Sequence, residues 1–150
     1  MNKYFSTLFA LLLIATAIRA QSTLNASTAK KMTFLIHITK SPEEATVAAL
    51  AFLVAKTALE EGHTVHLFLA GDAVKLLQDT TLNTLTGLGT GKLRDHYDAI
   101  VKAKGRFYLS GLSSKARGVT EADLQGKPAE FALPTVLVKL AVESDRVFTY

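Results

Sequence analysis

The fold is decided by residues 33–70, which read TFLIHITKSPEEATVAALAFLVAKTALEEGHTVHLFLA. Thr33–Ile38 is a continuous run of mostly β-branched and aromatic residues, as expected of a strand that is covered on both faces. Residues 64–70 form a second apolar run, and a helical stretch lies between the two. A strand, a helix and a strand in so short a segment predict a right-handed βαβ unit and therefore a parallel sheet.

The helix of this unit has start and stop signals. Ser41 is a natural N-cap, Pro42 fits the first helical position, and Glu44 has the spacing that completes a capping box with Ser41. Residues 45–59 are strong helix formers, and small apolar residues cover most of the circumference. We therefore expect a helix that is buried on more than one side and ends at Gly62.

The rest of the chain continues the alternation of helices and strands. The expected elements are a short helix over residues 73–77, a loop over residues 80–91, an amphipathic helix from residue 93 to Gly105, a strand over Arg106–Ser110, a loop over residues 113–118, a helical turn after Thr120, a helix over residues 134–142 and a strand over residues 146–150. The loop at 80–91 is a flap, a plain surface loop, or a subunit contact made by Leu82, Leu85 and Leu88. The sequence predicts an α/β fold of three layers, with a mostly parallel sheet flanked by helices, in one domain over residues 32–150.

Residues 1–20 have the layout of a secretory signal peptide. Lys3 gives a positive start, residues 5–18 are apolar, and Ala20 is a small residue suited to cleavage before Gln21. The apolar stretch is short for a membrane span. We expect a periplasmic or secreted protein with no stable membrane insertion after cleavage; an uncleaved anchor is the alternative. Residues 21–31 are mostly small and polar and predict a flexible leader.

The composition limits the partners of the chain. It has 17 basic and 13 acidic residues and a formal net charge of +4. Lys3 and Arg19 precede the predicted cleavage site, so the mature domain carries about +2 (4 minus 2). This charge is too small to indicate a nucleic acid as a partner. The chain has no cysteine, so its stability must come from its core and from subunit contacts.

Polar side chains follow three of the predicted strands. In an open parallel sheet, ligands bind in the crevice outside the carboxyl ends of the strands. The expected crevice residues are His37, Thr39, Asp72, Ser110, Ser113 and Arg117. Residues 113–117 combine hydroxyls, backbone N–H groups and two cations, which suits a small anion such as phosphate, sulfate or carboxylate. Arg117 is expected to contribute more than Lys115, because a guanidinium makes bidentate hydrogen bonds.

Several of these residues also have a structural interpretation. Asp72 is either the N-cap of the following short helix, which we favour, or a carboxylate that serves as a base or an acceptor. His37 is either buried and neutral or an acid–base group at the end of its strand. Arg117 either binds the anion or pairs with a carboxylate of the same or a neighbouring subunit. The other three histidines show no metal-ligand spacing, so we expect neither a metal nor another cofactor.

Four segments, in this order and spacing, resemble the DsrE/DsrF-like family and its YchN-type α/β fold. They are His37 in the first strand, residues 67–72 at the end of the second, residues 113–118 after the third, and residues 144–147 before the last. The resemblance covers residues 32–150. It implies a homo-oligomer, a trimer or a hexamer, because members of this family form such assemblies.

The resemblance also implies a chemistry that this chain lacks. Some family members pass sulfur on a cysteine of the loop after the third strand, and the matching positions here are Ser110 and Ser113. A hydroxyl cannot replace a thiolate, which is both the nucleophile and the carrier atom. We therefore expect an exported homo-oligomeric module without thiol-based sulfur transfer, which binds a small anionic or sulfur-containing ligand or a partner protein. The alternative is an enzyme that uses His37, Asp72 and Ser113 for acid–base or hydrolytic chemistry; the module is favoured because no catalytic constellation is complete.

Overall fold

A five-stranded sheet forms the middle layer of the protein, and each of its strands runs parallel to its neighbours. The computed structural model describes residues 30–150. The predicted signal peptide and all but the last two residues of the predicted leader lie outside this part of the chain. The strands are β1 (Thr33–Ile38), β2 (Thr64–Leu69), β3 (Thr86–Gly87), β4 (Gly91–Lys92), β5 (Arg106–Ser110), β6 (Ala129–Ala132) and β7 (Arg146–Thr149). The main sheet has the order β6-β5-β2-β1-β7, and β3 and β4 form a separate antiparallel hairpin.

Helices connect the strands of the main sheet. They are α1 (Ala45–Glu60), α2 (Asp79–Thr84), α3 (Leu93–Lys102), α4 (Gly111–Ala116), α5 (Glu121–Leu124) and α6 (Pro134–Glu143), with 3₁₀ helices at Pro42–Glu44 and Gly71–Leu77. Within residues 30–150, none of them has the length and apolar character needed to cross a bilayer. The predicted βαβ unit and the predicted α/β fold with a parallel sheet are both confirmed.

The larger part of the core lies between the sheet and the pair of helices α1 and α3. Small side chains of α1 are completely buried and allow close packing, while Phe52 fills the space above the sheet. The ring of Phe52 lies 5.8 Å from that of Phe107 in β5, and Tyr97 of α3 lies 5.3 Å from the same ring. Because α1 packs against α3 as well as against the sheet, it is buried on more than one side, as its composition predicts.

The opposite face of the sheet is packed by α6. Side chains alternate along a strand, so Leu35 and Phe68 point to this face, where they form a small buried cluster with Ala132 and Leu140 of α6. His37 and His66 point to the same face and are half-buried. This face therefore combines a small apolar cluster with titratable groups, whereas the other face is apolar except for Arg146 of β7, which pairs with Phe34.

Two segments that were predicted to be loops contain regular secondary structure. Residues 80–91 contain α2 and the hairpin, because Leu82 and Leu85 are buried in the larger core and hold the segment in place. Only Leu88 of the three leucines is left exposed, so the suggested contact through all of them is wrong. Residues 113–118 were also predicted to be a loop, but α4 runs from Gly111 to Ala116. In both cases tertiary contacts or a cap outweigh the weak local propensity.

The start of α1 also differs from the prediction. Ser41 precedes the 3₁₀ helix Pro42–Glu44, and its side chain makes no capping hydrogen bond to the helix. The α-helix begins only at Ala45, so Glu44 stands at the N-cap position and cannot be the third residue of a capping box. Its carboxylate instead accepts a hydrogen bond of 3.0 Å from Lys40. The predicted helical turn after Thr120, by contrast, is present as α5, and the backbone N–H and the hydroxyl of Thr120 donate to Oδ2 of Asp123 over 2.7 and 3.1 Å.

Candidate functional site

The carboxyl ends of β1, β2 and β5 lie side by side. The register pairs Ile38 with Leu69, and Leu69 with Leu109, so the residues that follow these three positions emerge at the same edge of the sheet. The strand order reverses between β1 and β7, which is where an open parallel sheet most often binds a ligand. There, the backbone N–H and the hydroxyl of Thr39 both donate to the carbonyl oxygen of Tyr150, at 2.8 and 3.0 Å. The hydrogen-bonded residues Thr39 and Tyr150 therefore occupy this part of the sheet edge.

The predicted polar residues meet one strand further along, between β2 and β5. The backbone N–H of Gly71 donates to the hydroxyl oxygen of Ser113 over 3.0 Å. Gly71 has a φ of +56°, a left-handed conformation that favours glycine, and a Cβ at this position would lie 3.5 Å from the carbonyl oxygen of Thr39. The three strand ends are therefore in close contact at Gly71.

An ion pair closes this network. Arg117 donates from Nε to Oδ1 of Asp72 over 2.7 Å, and its Nη1 donates to the carbonyl oxygen of Ser113 over 3.4 Å. Lys75 lies 3.2 Å from the same carboxylate oxygen. The hydrogen bond from Arg117, and then that from Lys75, hold the pKa of Asp72 below its usual value. Asp72 is thus ionised at neutral pH and neutralised by two cations, which does not suit a general base.

The favoured interpretation of Asp72 as an N-cap is wrong. The 3₁₀ helix begins at Gly71 and its N-cap position is Ala70, so Asp72 lies inside the helix. The residue that does cap a helix is Ser110, whose hydroxyl oxygen accepts a hydrogen bond of 3.3 Å from the N–H of Ser113 at the start of α4. The cap explains why the polar residues after β5 form a helix.

The six predicted crevice residues therefore divide into two groups. Asp72, Ser110, Ser113 and Arg117 belong to one hydrogen-bonded network. Thr39 adjoins this network through its backbone, but its hydroxyl bonds to Tyr150. His37 lies on the α6 face of the sheet, with its ring 6.1 Å from that of Phe68. Among the described residues, Ser113 makes no hydrogen bond with a histidine, so the alternative of a hydrolytic enzyme gains no support from the geometry.

Burial has the largest effect on the pKa of each of the two histidines on the α6 face. It lowers the pKa of His37, and it lowers the pKa of His66 more than the negative charge of Glu143 raises it. Nε2 of His37 and Nδ1 of His66 are buried without a hydrogen-bond partner in the described chain. No local sequence signal links His66 to His37. Their common face follows from the register of β1 and β2.

The part of the chain that the structure describes contains no cluster of side chains suited to binding a metal ion. There, no three side chains of His, Cys, Asp or Glu are grouped as a metal site requires.

A cavity does lie between α4 and β6, and Phe131 of β6 forms part of its wall. Since β6 was missed in the sequence, this cavity could not be found from the sequence either.

The fold and the site define a class: a three-layer α/β protein with a parallel sheet and a polar network that joins the ends of neighbouring strands. The family model of the DsrE/DsrF-like family matches residues 32–150, and the chain belongs to this family. The resemblance seen in the sequence is thereby confirmed. Among proteins with curated descriptions, none matches the chain significantly.

Two solved structures share the fold. The YchN protein from E. coli aligns with a TM-score of 0.65 and 16% sequence identity, over 79% of this chain and 99% of that chain. A conserved protein of unknown function from Bacteroides thetaiotaomicron aligns with a TM-score of 0.57 and 13% identity, over 82% of this chain and 100% of that chain. At such low identities the similarity establishes the fold alone.

Proposed function

We propose that this protein is an exported homo-oligomeric binding module of the DsrE/DsrF-like family that does not transfer sulfur on a thiol. It binds a small anionic or sulfur-containing ligand or a partner protein. The observation that carries the proposal is the state of Ser110 and Ser113, the positions that match the family's loop cysteine. Both hydroxyl oxygens accept hydrogen bonds from backbone N–H groups, one as a helix cap and the other at Gly71.

These hydrogen bonds favour a scaffold over a catalyst. A nucleophile needs a neighbouring base or a lowered pKa, and neither hydroxyl has a basic side chain as its partner in the described chain. The chain also contains no cysteine, so none of its own atoms can form a persulfide in the way a thiolate does. The network around Ser113 therefore fixes the geometry of the strand ends and leaves binding as the supported role.

Assembly into a homo-oligomer is supported by the outer side of α6. Val138 and Val142 are four residues apart, on the same side of the helix, and both are exposed. Leu133, directly before the helix, is exposed as well. Exposed apolar side chains that adjoin one another are typical of surfaces that contact another protein. A second copy of the chain is the partner that we propose for this side.

Native mass spectrometry of the protein isolated from the exported fraction tests this function. We expect a chain that begins near Gln21, a mass corresponding to a trimer or a hexamer, and a bound small molecule that is released on unfolding. N-terminal sequencing of the same sample checks the cleavage. A monomer with no bound molecule and no protein partner would contradict the proposal, and an intact Met1 in a membrane fraction would contradict cleavage near Gln21 and release from the membrane.

A further inference from the structure

The cavity between α4 and β6 has a volume of about 430 Å³, which is within the range of sites for small molecules. Its walls come from α4, the segment after α4, the start of α5 and Phe131 of β6. None of the residues of the Asp72–Arg117 network lines it. It is therefore separate from the crevice predicted from the sequence, although α4 contributes to both.

The charge available at this cavity comes from Lys115. Arg117 is already paired with Asp72, so the cation expected to bind an anion is occupied. Lys115 lines the cavity and forms no ion pair in the described chain. Glu121 also lines the cavity and forms no ion pair in the described chain, and its carboxylate would repel a second negative charge. These two side chains together favour a ligand with a single anionic group.

A buried polar atom also points to a ligand. Ser114 lines the cavity and is 1% exposed, and its hydroxyl oxygen has no hydrogen-bond partner in the described chain. Most buried polar side chains of folded proteins do have such a partner. The oxygen itself is covered by protein atoms, so a turn of the Ser114 side chain toward the cavity would bring it to a carboxylate, hydroxyl or carbonyl of a bound molecule, which would supply the missing partner.

The remaining wall is apolar. Val119 is buried and Phe131 is half-buried, and both line the cavity. Gly111 leaves space beside them, since a Cβ at this position would lie 4.0 Å from Cβ of Phe131. An apolar wall with a few polar groups is the usual composition of a small-molecule site.

We infer that this cavity binds a small monoanion with an apolar body, such as an arylalkyl carboxylate. Its carboxylate lies at Lys115 and the hydroxyl of Ser114, and its apolar part packs against Phe131 and Val119. The inference deepens the proposed binding function and rests on it. It assigns the ligand class, and it places the anionic group of the ligand at Lys115 instead of at Arg117.

Titration of the mature protein with phenylacetate tests the site, with backbone amide chemical shifts as the measurement. We expect saturable shifts confined to the lining segments, residues 111–121 and 131. Acetate, which lacks the ring, and 2-phenylethanol, which lacks the charge, should each bind at least tenfold more weakly. Absence of saturable shifts at these residues with millimolar phenylacetate would overturn the inference.

Three variants separate the contributions. Lys115→Ala should weaken phenylacetate binding at least tenfold, which corresponds to about 1.4 kcal/mol. The matched variant Lys102→Ala removes another exposed helical lysine without an ion pair in the described chain, and it should leave the affinity unchanged. Ser114→Ala should weaken binding without lowering Tm, because the hydroxyl has no partner to lose. Equal affinities for Lys115→Ala and Lys102→Ala would refute the assignment.

These experiments also distinguish an error in this site from an error in the proposed function. If the Lys115→Ala variant still assembles and still carries the molecule found with the wild-type protein, the binding module stands and this cavity is the wrong site. If the wild-type protein binds phenylacetate at the cavity but is a monomer, the cavity stands and the proposed assembly is wrong.

Discussion

Arg117 donates a hydrogen bond of 2.7 Å from Nε to Oδ1 of Asp72, and this bond joins the end of α4 to the 3₁₀ helix after β2. Both residues were predicted to lie in the crevice, and they do lie together, but each satisfies the charge of the other. The pair therefore positions the two segments that follow β2 and β5. Its disruption should affect folding more than the binding of an anion.

Arg117→Ala should lower Tm by a few degrees in thermal unfolding followed by circular dichroism. The change removes the donors to Asp72 and to the carbonyl oxygen of Ser113, and it leaves Lys75 as the only cation that contacts the carboxylate in the described chain. Arg117→Lys should have an intermediate effect, since it keeps the charge and loses the geometry of the guanidinium. An unchanged Tm together with a tenfold loss of phenylacetate affinity would instead make Arg117 a ligand-binding residue.

The stability of the protein should fall in mild acid because of His37 and His66. Burial lowers the pKa of both below the usual value of 6.5, so the unfolded chain binds more protons than the folded chain just below that pH. The stability is complete above pH 6.5 and decreases as the pH drops from 6.5 through the lower pKa values of the folded state. Urea unfolding at pH 7.5 and at pH 5.5 measures this difference.

Replacement of the two histidines by leucine provides the control for this pH dependence. The double variant His37→Leu, His66→Leu should lose a substantial part of the difference in stability between the two pH values, because leucine does not titrate. Each single variant should lose a smaller part. The same pH dependence in the double variant and in the wild-type protein would show that other groups are responsible.

Much of the fold could be predicted because its signals are local. The apolar runs of β1 and β2 and the apolar period of α3 indicate these elements without knowledge of the rest of the chain. β6 was missed, because Ala129–Ala132 is only four residues long and contains the exposed Glu130 at the edge of the sheet. Its pairing with β5 stabilises it as a strand, and that pairing cannot be read from four residues.

The site could be predicted in part for the same reason. The positions of Asp72, Ser113 and Arg117 at neighbouring strand ends follow from the topology of a parallel sheet. The topology does not determine which atoms of these residues form hydrogen bonds with one another. The sequence therefore left two roles open for Arg117, binding an anion and forming an ion pair. The cavity at Phe131 depends on β6, and the shared face of His37 and His66 depends on the register of β1 and β2. Long-range pairing of this kind leaves no local signal.

Charged substitutions on the outer side of α6 should break the proposed homo-oligomer. Val138→Glu combined with Val142→Glu places two carboxylates on the surface that we assign to a second copy of the chain. We expect a shift to the monomer mass in light scattering at micromolar concentration, with little change in helical content. Leu88→Glu is the matched control, because Leu88 is 90% exposed at the tip of the hairpin and should not alter the mass. An oligomer that survives both valine substitutions would exclude this side of α6 as the interface.

Ser113→Cys should restore the ability to accept sulfur. The present hydroxyl oxygen accepts a hydrogen bond from the N–H of Gly71 at 3.0 Å, and a donor at this place favours an anionic sulfur and should lower the pKa of the new thiol. The thiolate attacks the outer sulfur of a cysteine persulfide, a new S–S bond forms, and cysteine leaves as its thiolate. Intact mass spectrometry should show the addition of one sulfur atom to this variant and none to the wild-type protein.

The matched control for this last experiment is Ser144→Cys, at the end of α6 and outside both the network and the cavity. The hydroxyl oxygen of Ser144 is buried, and a thiol in so buried a position should remain protonated and unreactive. Both variants add one sulfur atom to the chain, so a difference in labelling reports the environment at position 113. Equal labelling of the two variants would show that the network at Gly71 and Arg117 does not activate a thiol. Sulfur acceptance by the wild-type protein would overturn the proposed loss of this chemistry.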